Sequence, residues 1–142
     1  MTSLFVDTAG WMACADGSDP VHAACRMARD KALRSGQVLL TTDYVVDETL
    51  TLLRVRLSLA AAEAWWRQVD GSPRVRWERV DAARFQRALE LFFQYRDKGF
   101  SFTDCTSFAV MRELRLANVL TTDRHFRQMG FEMVPRGRAR KA

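Results

Sequence analysis

Residues 100–111, with the sequence Phe-Ser-Phe-Thr-Asp-Cys-Thr-Ser-Phe-Ala-Val-Met, mark the start of a helix. Gly99 interrupts the helical pattern before them, Ser101 is a favourable N-cap residue, and apolar residues then recur at helical spacing. Asp104 consequently falls in the first turn, where the helix dipole stabilises a carboxylate by roughly 0.3–1 kcal/mol. We therefore expect Asp104 to be ionised at neutral pH. The same spacing also fits a capping box between Ser101 and Asp104, which is a purely structural role.

The chain is long enough for one domain with a substantial core. Its 142 residues are 48% hydrophobic and 27% charged, as in soluble globular proteins. We expect a single domain over residues 1–135 and a flexible basic tail over residues 136–142. The tail carries four of the charges behind the net charge of +5, so the domain itself is close to neutral. Such a tail either adds salt-dependent attraction to a polyanion or simply solubilises the terminus.

Several classes of protein are disfavoured by what the sequence lacks. No apolar run approaches the roughly 20 residues of a membrane span, and the N-terminus lacks the basic start and apolar core of a signal peptide. We therefore expect a cytoplasmic protein with no membrane partner. Three widely spaced cysteines argue against a disulfide framework and a zinc ribbon. With His22 and His125 as the only histidines, a histidine-based zinc site is not expected.

Short apolar segments alternate with helical patterns along the chain. Segments 4–6, 38–41, 75–80, 118–123 and 131–134 have the character of strands. This order predicts an α/β sandwich with a mainly parallel sheet. Segment 75–80 alternates apolar and charged residues, which indicates a half-exposed edge strand. Asp43 and Asp81 are the expected N-caps of the helices that follow them.

Four acids are placed to meet at one edge of this sheet. Asp7 follows the first strand, before a turn that contains Gly10, and Asp123 ends the fourth strand. The carboxyl ends of parallel strands share an edge, where open α/β sheets bind ligands. The helices that carry Glu48 and Asp104 can present their acids to the same crevice.

Each of these acids also has a structural alternative. Asp7 and Asp123 can cap the helices that follow them. Glu48 lies beside the apolar stripe of its helix, where an unpaired charge costs several kcal/mol. A salt bridge to Arg54 or Arg56 would satisfy it without any functional role.

Four carboxylates in one crevice require a cation. At separations of about 5 Å and an effective dielectric of 20, each pair repels by about 3 kcal/mol. Ligation by oxygen alone selects Mg²⁺ or Mn²⁺ over zinc. These ions suit the hydrolysis of phosphodiester bonds, because they orient a water, lower its pKa and stabilise charge on the phosphate and the leaving oxygen.

Four short motifs occur in order over nearly the whole chain. They are Phe5-Val6-Asp7-Thr8, Thr42-Asp43-Tyr44-Val45-Val46-Asp47-Glu48-Thr49-Leu50, Ser101-Phe102-Thr103-Asp104-Cys105 and Leu120-Thr121-Thr122-Asp123. Each motif alone is weak, but the ordered set is specific. With these motifs the chain resembles the PIN-domain family, and more narrowly the VapC-type toxin ribonucleases of bacterial toxin–antitoxin systems.

The resemblance implies a PIN-like three-layer sandwich with a mainly parallel five-stranded sheet flanked by helices. It implies that Asp7, Glu48, Asp104 and Asp123 are catalytic residues and ligands of Mg²⁺ or Mn²⁺. Thr103 matches the hydroxyl residue beside the third acid, where it orients a ligand or a water. The implied activity is that of a type II toxin, an endoribonuclease that leaves a 3′-hydroxyl and a 5′-phosphate. The implied partners are RNA, a second copy of the chain and a cognate VapB-like antitoxin that inserts a peptide into the groove.

Other classes place acids at strand ends as well. A phosphatase of the haloacid dehalogenase type needs an acid two residues after Asp7, where this chain has Ala9. A phospho-receiver domain needs paired acids near its first strand and a lysine on its last strands, and neither is present. Two alternatives stay open: a non-catalytic module that binds RNA or protein on the same fold, and a structure-specific DNase.

Overall fold

The computed structural model describes residues 2–136, and strands alternate with helices throughout them. Residues 137–142, most of the expected basic tail, lie outside the described residues. The elements in chain order are β1 (Ser3–Val6), α1 (Thr8–Ala15), α2 (His22–Arg34), β2 (Val38–Thr42), α3 (Asp43–Arg56), α4 (Leu59–Gly71), β3 (Val75–Glu78), α5 (Ala82–Gln94), α6 (Phe102–Glu113), β4 (Asn118–Leu120), α7 (His125–Gln128) and β5 (Glu132–Val134).

The five strands form one parallel sheet in the order β3-β2-β1-β4-β5. This confirms the predicted α/β class and parallel sheet, and it places β3 at an edge as its alternating pattern indicates. The three central strands are largely buried, because helices cover a parallel sheet. Phe5, Leu40 and Leu120 from these strands are at most 1% exposed.

The order of the strands reverses beside β1. The chain proceeds from β1 to β2 and β3 on one side, and then returns to place β4 and β5 on the other side. The crevice outside the carboxyl ends of β1 and β4 is therefore the switch point at which open α/β sheets bind ligands. Asp7 follows β1 at this crevice, and residues 121–123 follow β4.

The expected turn after Asp7 is wrong. Helix α1 begins at Thr8, and Gly10 lies in its first turn. A Cβ at Gly10 would lie 2.9 Å from the carbonyl carbon of Leu120 and would collide with its oxygen. Glycine is needed here because the helix backbone packs directly against the end of β4, and not because the chain turns.

The predicted N-cap at Asp43 is also wrong. Thr42 is the N-cap of α3, and its hydroxyl accepts a hydrogen bond of 3.1 Å from the Val45 amide. Asp43 lies inside the helix, where its Oδ1 accepts a 2.8 Å bond from the Val80 amide. The acid therefore ties the segment after β3 to the start of α3. The cap predicted at Asp81 is confirmed, since this side chain accepts a bond from the Arg84 amide.

None of the helices within residues 2–136 combines the length and the apolar character needed to cross a bilayer.

Candidate active site

The N-terminus of α6 holds Asp104 by two hydrogen bonds. The Ser101 hydroxyl accepts from the Asp104 amide at 3.0 Å, and the Ser101 amide donates to Oδ2 of Asp104 at 3.1 Å. This is a complete capping box. Asp104 thus fills the capping role that the sequence allows, and it also lies at the crevice. The capping box uses Oδ2 of its carboxylate.

Asp7 is the most enclosed of the four acids, with 5% of its surface exposed. It is the N-cap of α1, and its Oδ1 accepts a 2.8 Å bond from the Gly10 amide. Its Oδ2 accepts a 2.7 Å bond from the Thr121 hydroxyl. Oγ1 of Thr121 also accepts a 2.9 Å bond from the Asp123 amide. The threonine therefore connects the two acids that follow β1 and β4.

Glu48 and Thr103 reach the same crevice from two helices. Glu48 lies in the second turn of α3 and Thr103 in the first turn of α6. The alternative salt bridge is not formed: within residues 2–136, no ion pair joins Glu48 to Arg54 or Arg56. Arg56 instead lines the crevice together with the glutamate.

A cavity of about 230 Å³ opens at the switch point. All five residues singled out by the sequence line it, namely Asp7, Glu48, Thr103, Asp104 and Asp123. The chain thus brings together, from four separate segments, four carboxyl groups and a hydroxyl. The cavity is large enough for a cation with several waters or a phosphate group.

His125 does not line the cavity, but it contacts two of the acids that do, and reasoning from the sequence missed it. Its Nδ1 lies 3.0 Å from Oδ2 of Asp104 and 3.3 Å from Oδ1 of Asp123. One donor atom from each of the three residues lies within 4.8 Å of the other two, a spacing that would hold a metal ion. A usable signal was present, since His125 comes two residues after an acid already assigned to the edge of the sheet.

The electrostatics of the cavity disfavour negative charge when no cation is bound. Burial raises the pKa of Asp7 to about 8, against the hydrogen bonds from Gly10 and Thr121, and the charges of Asp123 and Asp104 add to the rise. The pKa of Asp104 is also raised, first by burial and then by Asp123, despite its place at a helix N-terminus. Ionising Asp7 and Asp104 together therefore needs a positive charge nearby.

Two buried hydroxyls support a polar ligand at this position. Within the described residues, Oγ1 of Thr8 and Oγ of Ser107 have no hydrogen-bond partner, although both residues line the cavity. Ser107 is only 1% exposed. Buried hydroxyls without partners are unfavourable, and a hydrated cation would satisfy them. The oxygen-rich donors and these hydroxyls together fit a divalent metal ion.

Comparison with known proteins gives consistent matches over most of the chain. A model of the PIN domain family matches residues 4–132. The 23S rRNA-specific endonuclease VapC20 of Mycobacterium tuberculosis is 36% identical over 129 residues, which cover 90% of this chain and 95% of VapC20. Ribonuclease VapC26 of the same organism is 29% identical over 126 residues, which cover 87% of this chain and 89% of VapC26.

A solved structure agrees with the sequence matches. The crystal structure of Mycobacterium tuberculosis VapC20, described as a toxin that cleaves the sarcin–ricin loop, resembles this fold with a TM-score of 0.81. The two chains are 33% identical, and the likeness covers 90% of this chain and 95% of the other.

Proposed function

The chain belongs to the PIN domain family, and on that premise we propose that it is a metal-dependent endoribonuclease toxin of a type II toxin–antitoxin pair. The observation that carries this proposal is the convergence of Asp7, Glu48, Asp104 and Asp123 on one cavity at the switch point of the sheet. Two relatives that match most of the chain are named as ribonucleases.

The four acids would hold a divalent cation, and Mg²⁺ or Mn²⁺ suits their oxygen donors. When bound, the cation supplies a nucleophilic water at neutral pH and stabilises the charge of the phosphate in the transition state. The residues of the chain keep the site assembled before substrate arrives. Thr121 holds one oxygen of Asp7, the capping box holds one oxygen of Asp104, and α3 carries Glu48.

Three neutral or basic side chains complete the proposed mechanism. Thr103 and Ser107 line the cavity, and their hydroxyls would orient a water or a phosphate oxygen there. Arg56 is exposed at the end of α3 and lines the same cavity. We assign it to the phosphate backbone of the bound RNA, since arginine binds phosphate through paired hydrogen bonds.

The relatives suggest the RNA to be tested first. VapC20 is named for cleavage of 23S rRNA and described as acting on the sarcin–ricin loop. With 36% identity over 129 residues, we propose the same class of structured ribosomal RNA as the substrate of this chain.

We further propose that the chain forms a homodimer and is inhibited by a cognate antitoxin. The dimer proposal is supported by an exposed aromatic surface on α5, where Phe85, Phe92 and Phe93 are 39%, 38% and 59% exposed. Phe102, the residue before Thr103, contacts Phe85 and Phe92. A second copy packed on this surface would lie next to the cavity, and Phe93→Glu would then give a monomer in sedimentation experiments.

Cleavage of a mixed pool of RNA and single-stranded DNA tests the enzyme class. Protein freed of antitoxin is incubated with the pool in Mg²⁺, Mn²⁺ or EDTA, in parallel with Asp104→Asn. The proposal expects RNA to be cut only by the parent protein and only with a cation. Cleavage of DNA alone would instead support a DNase, and cation binding without any cleavage would support a non-catalytic module.

A further inference from the structure

We propose that His125 is a nitrogen ligand of the cation that Asp104 and Asp123 hold at the wall of this cavity, and that it makes the site prefer transition-metal ions such as Mn²⁺ over Mg²⁺. The inference rests on the proposed function, because it takes the acidic cavity to be a cation site. It goes beyond the four acids, whose oxygen donors alone do not distinguish strongly between the two ions.

The distances around Nδ1 of His125 carry the argument. This atom lies 3.0 Å from Oδ2 of Asp104 and 3.3 Å from Oδ1 of Asp123. Donor atoms at right angles around an octahedral ion, each at about 2.1 Å, lie about 3 Å apart. Nδ1 and Oδ2 of Asp104 are hydrogen-bonded in the structure. A cation that replaced this bond would find the nitrogen and each of the two oxygens at the spacing of neighbouring ligands.

The imidazole is held in this position by contacts that need no metal. Its ring packs edge to face against Phe100 with ring centres 5.1 Å apart, and its backbone amide donates to Oδ1 of Asp123 at 2.9 Å. A ligand whose orientation is fixed in advance loses little entropy when it binds.

The chemistry of the nitrogen sets the preference. Mg²⁺ is a hard ion that favours oxygen ligands and keeps its waters, whereas imidazole suits transition-metal ions. Replacing a water by Nδ1 therefore strengthens binding of Mn²⁺ more than binding of Mg²⁺. Ligation by Nδ1 would replace its hydrogen bond to Asp104, so the nitrogen binds the ion without its proton.

Pulsed electron paramagnetic resonance on bound Mn²⁺ tests the inference directly. The full-length protein is loaded with Mn²⁺ and the modulation from nearby ¹⁴N nuclei is recorded, then recorded again with ¹⁵N-labelled histidine. The chain has two histidines, and Nδ1 of His22 is bonded to the Ala13 carbonyl at 2.7 Å. His22→Gln is therefore the matched control for His125→Gln.

We expect a directly bonded ¹⁴N coupling that changes to ¹⁵N in labelled protein, persists in His22→Gln and is lost in His125→Gln. We also expect His125→Gln to weaken Mn²⁺ about tenfold or more, and Mg²⁺ less than threefold in competition. Because the labelling experiment uses the parent protein, it does not depend on the variant folding.

The failures are distinguishable. If Mn²⁺ binds and RNA is cut, yet no histidine nitrogen couples to the ion, this inference is wrong and the proposed function stands. If no divalent cation binds to the parent protein at all, the proposed function falls together with the inference.

Discussion

The hydroxyl of Thr121 donates a 2.7 Å hydrogen bond to Oδ2 of Asp7, although the two residues are 114 positions apart in the chain. The bond joins the carboxyl ends of β4 and β1, the two strands between which the order of the sheet reverses. It fixes an acid that also caps α1, so a buried carboxyl group lines the cavity.

This buried acid makes the stability of the metal-free protein depend on pH. The folded chain holds a proton on Asp7 up to about pH 8, whereas an unfolded aspartate loses it near 3.8. The folded state therefore binds more protons in this window, and the free energy of unfolding falls as the pH rises from about 4 to 8. Urea denaturation in EDTA across this range measures the fall in the free energy of unfolding, which should total several kcal/mol between pH 4 and 8.

Asp7→Asn is the control, because it keeps an oxygen acceptor for the Gly10 amide and removes the charge. We expect the variant to lose most of the slope and to be more stable than the parent at pH 8 in EDTA. A parent protein that becomes more stable between pH 4 and 8 without metal would contradict the environment described for Asp7.

Because Gly10 packs against β4, we expect the addition of one methyl group at this position to lower the stability of the fold. Gly10→Ala places a methyl group against the Leu120 carbonyl, and relieving such an overlap in a packed interior costs about 1–3 kcal/mol or more. Gly71→Ala is the matched control, since it also lies in a helix and a Cβ there meets no atom within 4 Å. We expect Gly71→Ala to change stability by less than about 1 kcal/mol. Equal thermal shifts for the two variants would refute the close packing.

Arg84 connects three elements and predicts a second stability effect. Its side chain is 12% exposed and forms ion pairs with Glu113 at the end of α6 and Glu78 at the end of β3, which raise the pKa of the guanidinium. Arg84→Ala removes a donor from Glu113, Glu78 and the Arg79 carbonyl, although Arg76 still bonds Glu78, so we expect a loss of about 1–3 kcal/mol. The exposed pair of Arg87 and Glu90 is the comparison, and Arg87→Ala should cost less than about 0.5 kcal/mol. Chemical denaturation of both variants decides this.

Removing the unpartnered hydroxyl of Ser107 should weaken cation binding without lowering the stability of the fold. Ser107→Ala removes a buried group that has no hydrogen-bond partner among the described residues, so the free protein should be unchanged or slightly more stable. Its affinity for Mn²⁺ and its rate of RNA cleavage should fall several-fold, because the cavity loses a polar contact. Thr49→Val removes another such hydroxyl that does not line the cavity. Calorimetric titration of both variants should show weaker binding for Ser107→Ala alone.

The fold could be predicted from the sequence because hydrophobic periodicity and parallel-strand geometry act over short segments. The strand before Asp7 and the helix after Ser101 are each indicated by a short stretch of sequence. The shared edge of a parallel sheet then brings Asp7 and Asp123 together. The sequence alone therefore predicts that Asp7 and Asp123 lie at the same edge of the sheet.

The remaining features depend on contacts between distant segments. The sequence indicates a turn at Gly10, because nothing near it in the chain shows why a side chain is not tolerated. The residue that excludes a side chain is Leu120, 110 positions away, whose carbonyl packs against Gly10. Thr42 and Asp43 are both good caps, and what gives the role to Thr42 is a bond from Val80 to Asp43 across 37 positions. Two histidines in the sequence argue against a histidine-based zinc site, and this count gives no sign that His125 contacts the acids. Its position two residues after Asp123 brings it there.

The central claim is that the acidic cavity binds a divalent cation and that this cation is required to cut RNA. The most direct measurement is the rate of 23S rRNA cleavage as Mg²⁺ or Mn²⁺ is titrated, for the parent and for two isosteric variants of neighbouring residues on α3. Glu48→Gln removes an acid of the cavity, whereas Asp47→Asn removes an exposed acid outside it. We expect Glu48→Gln to lower the rate by about a hundredfold or more and to weaken cation binding, with Asp47→Asn within twofold of the parent. Equal activity of Glu48→Gln and the parent, or cleavage that persists in EDTA, would contradict the claim.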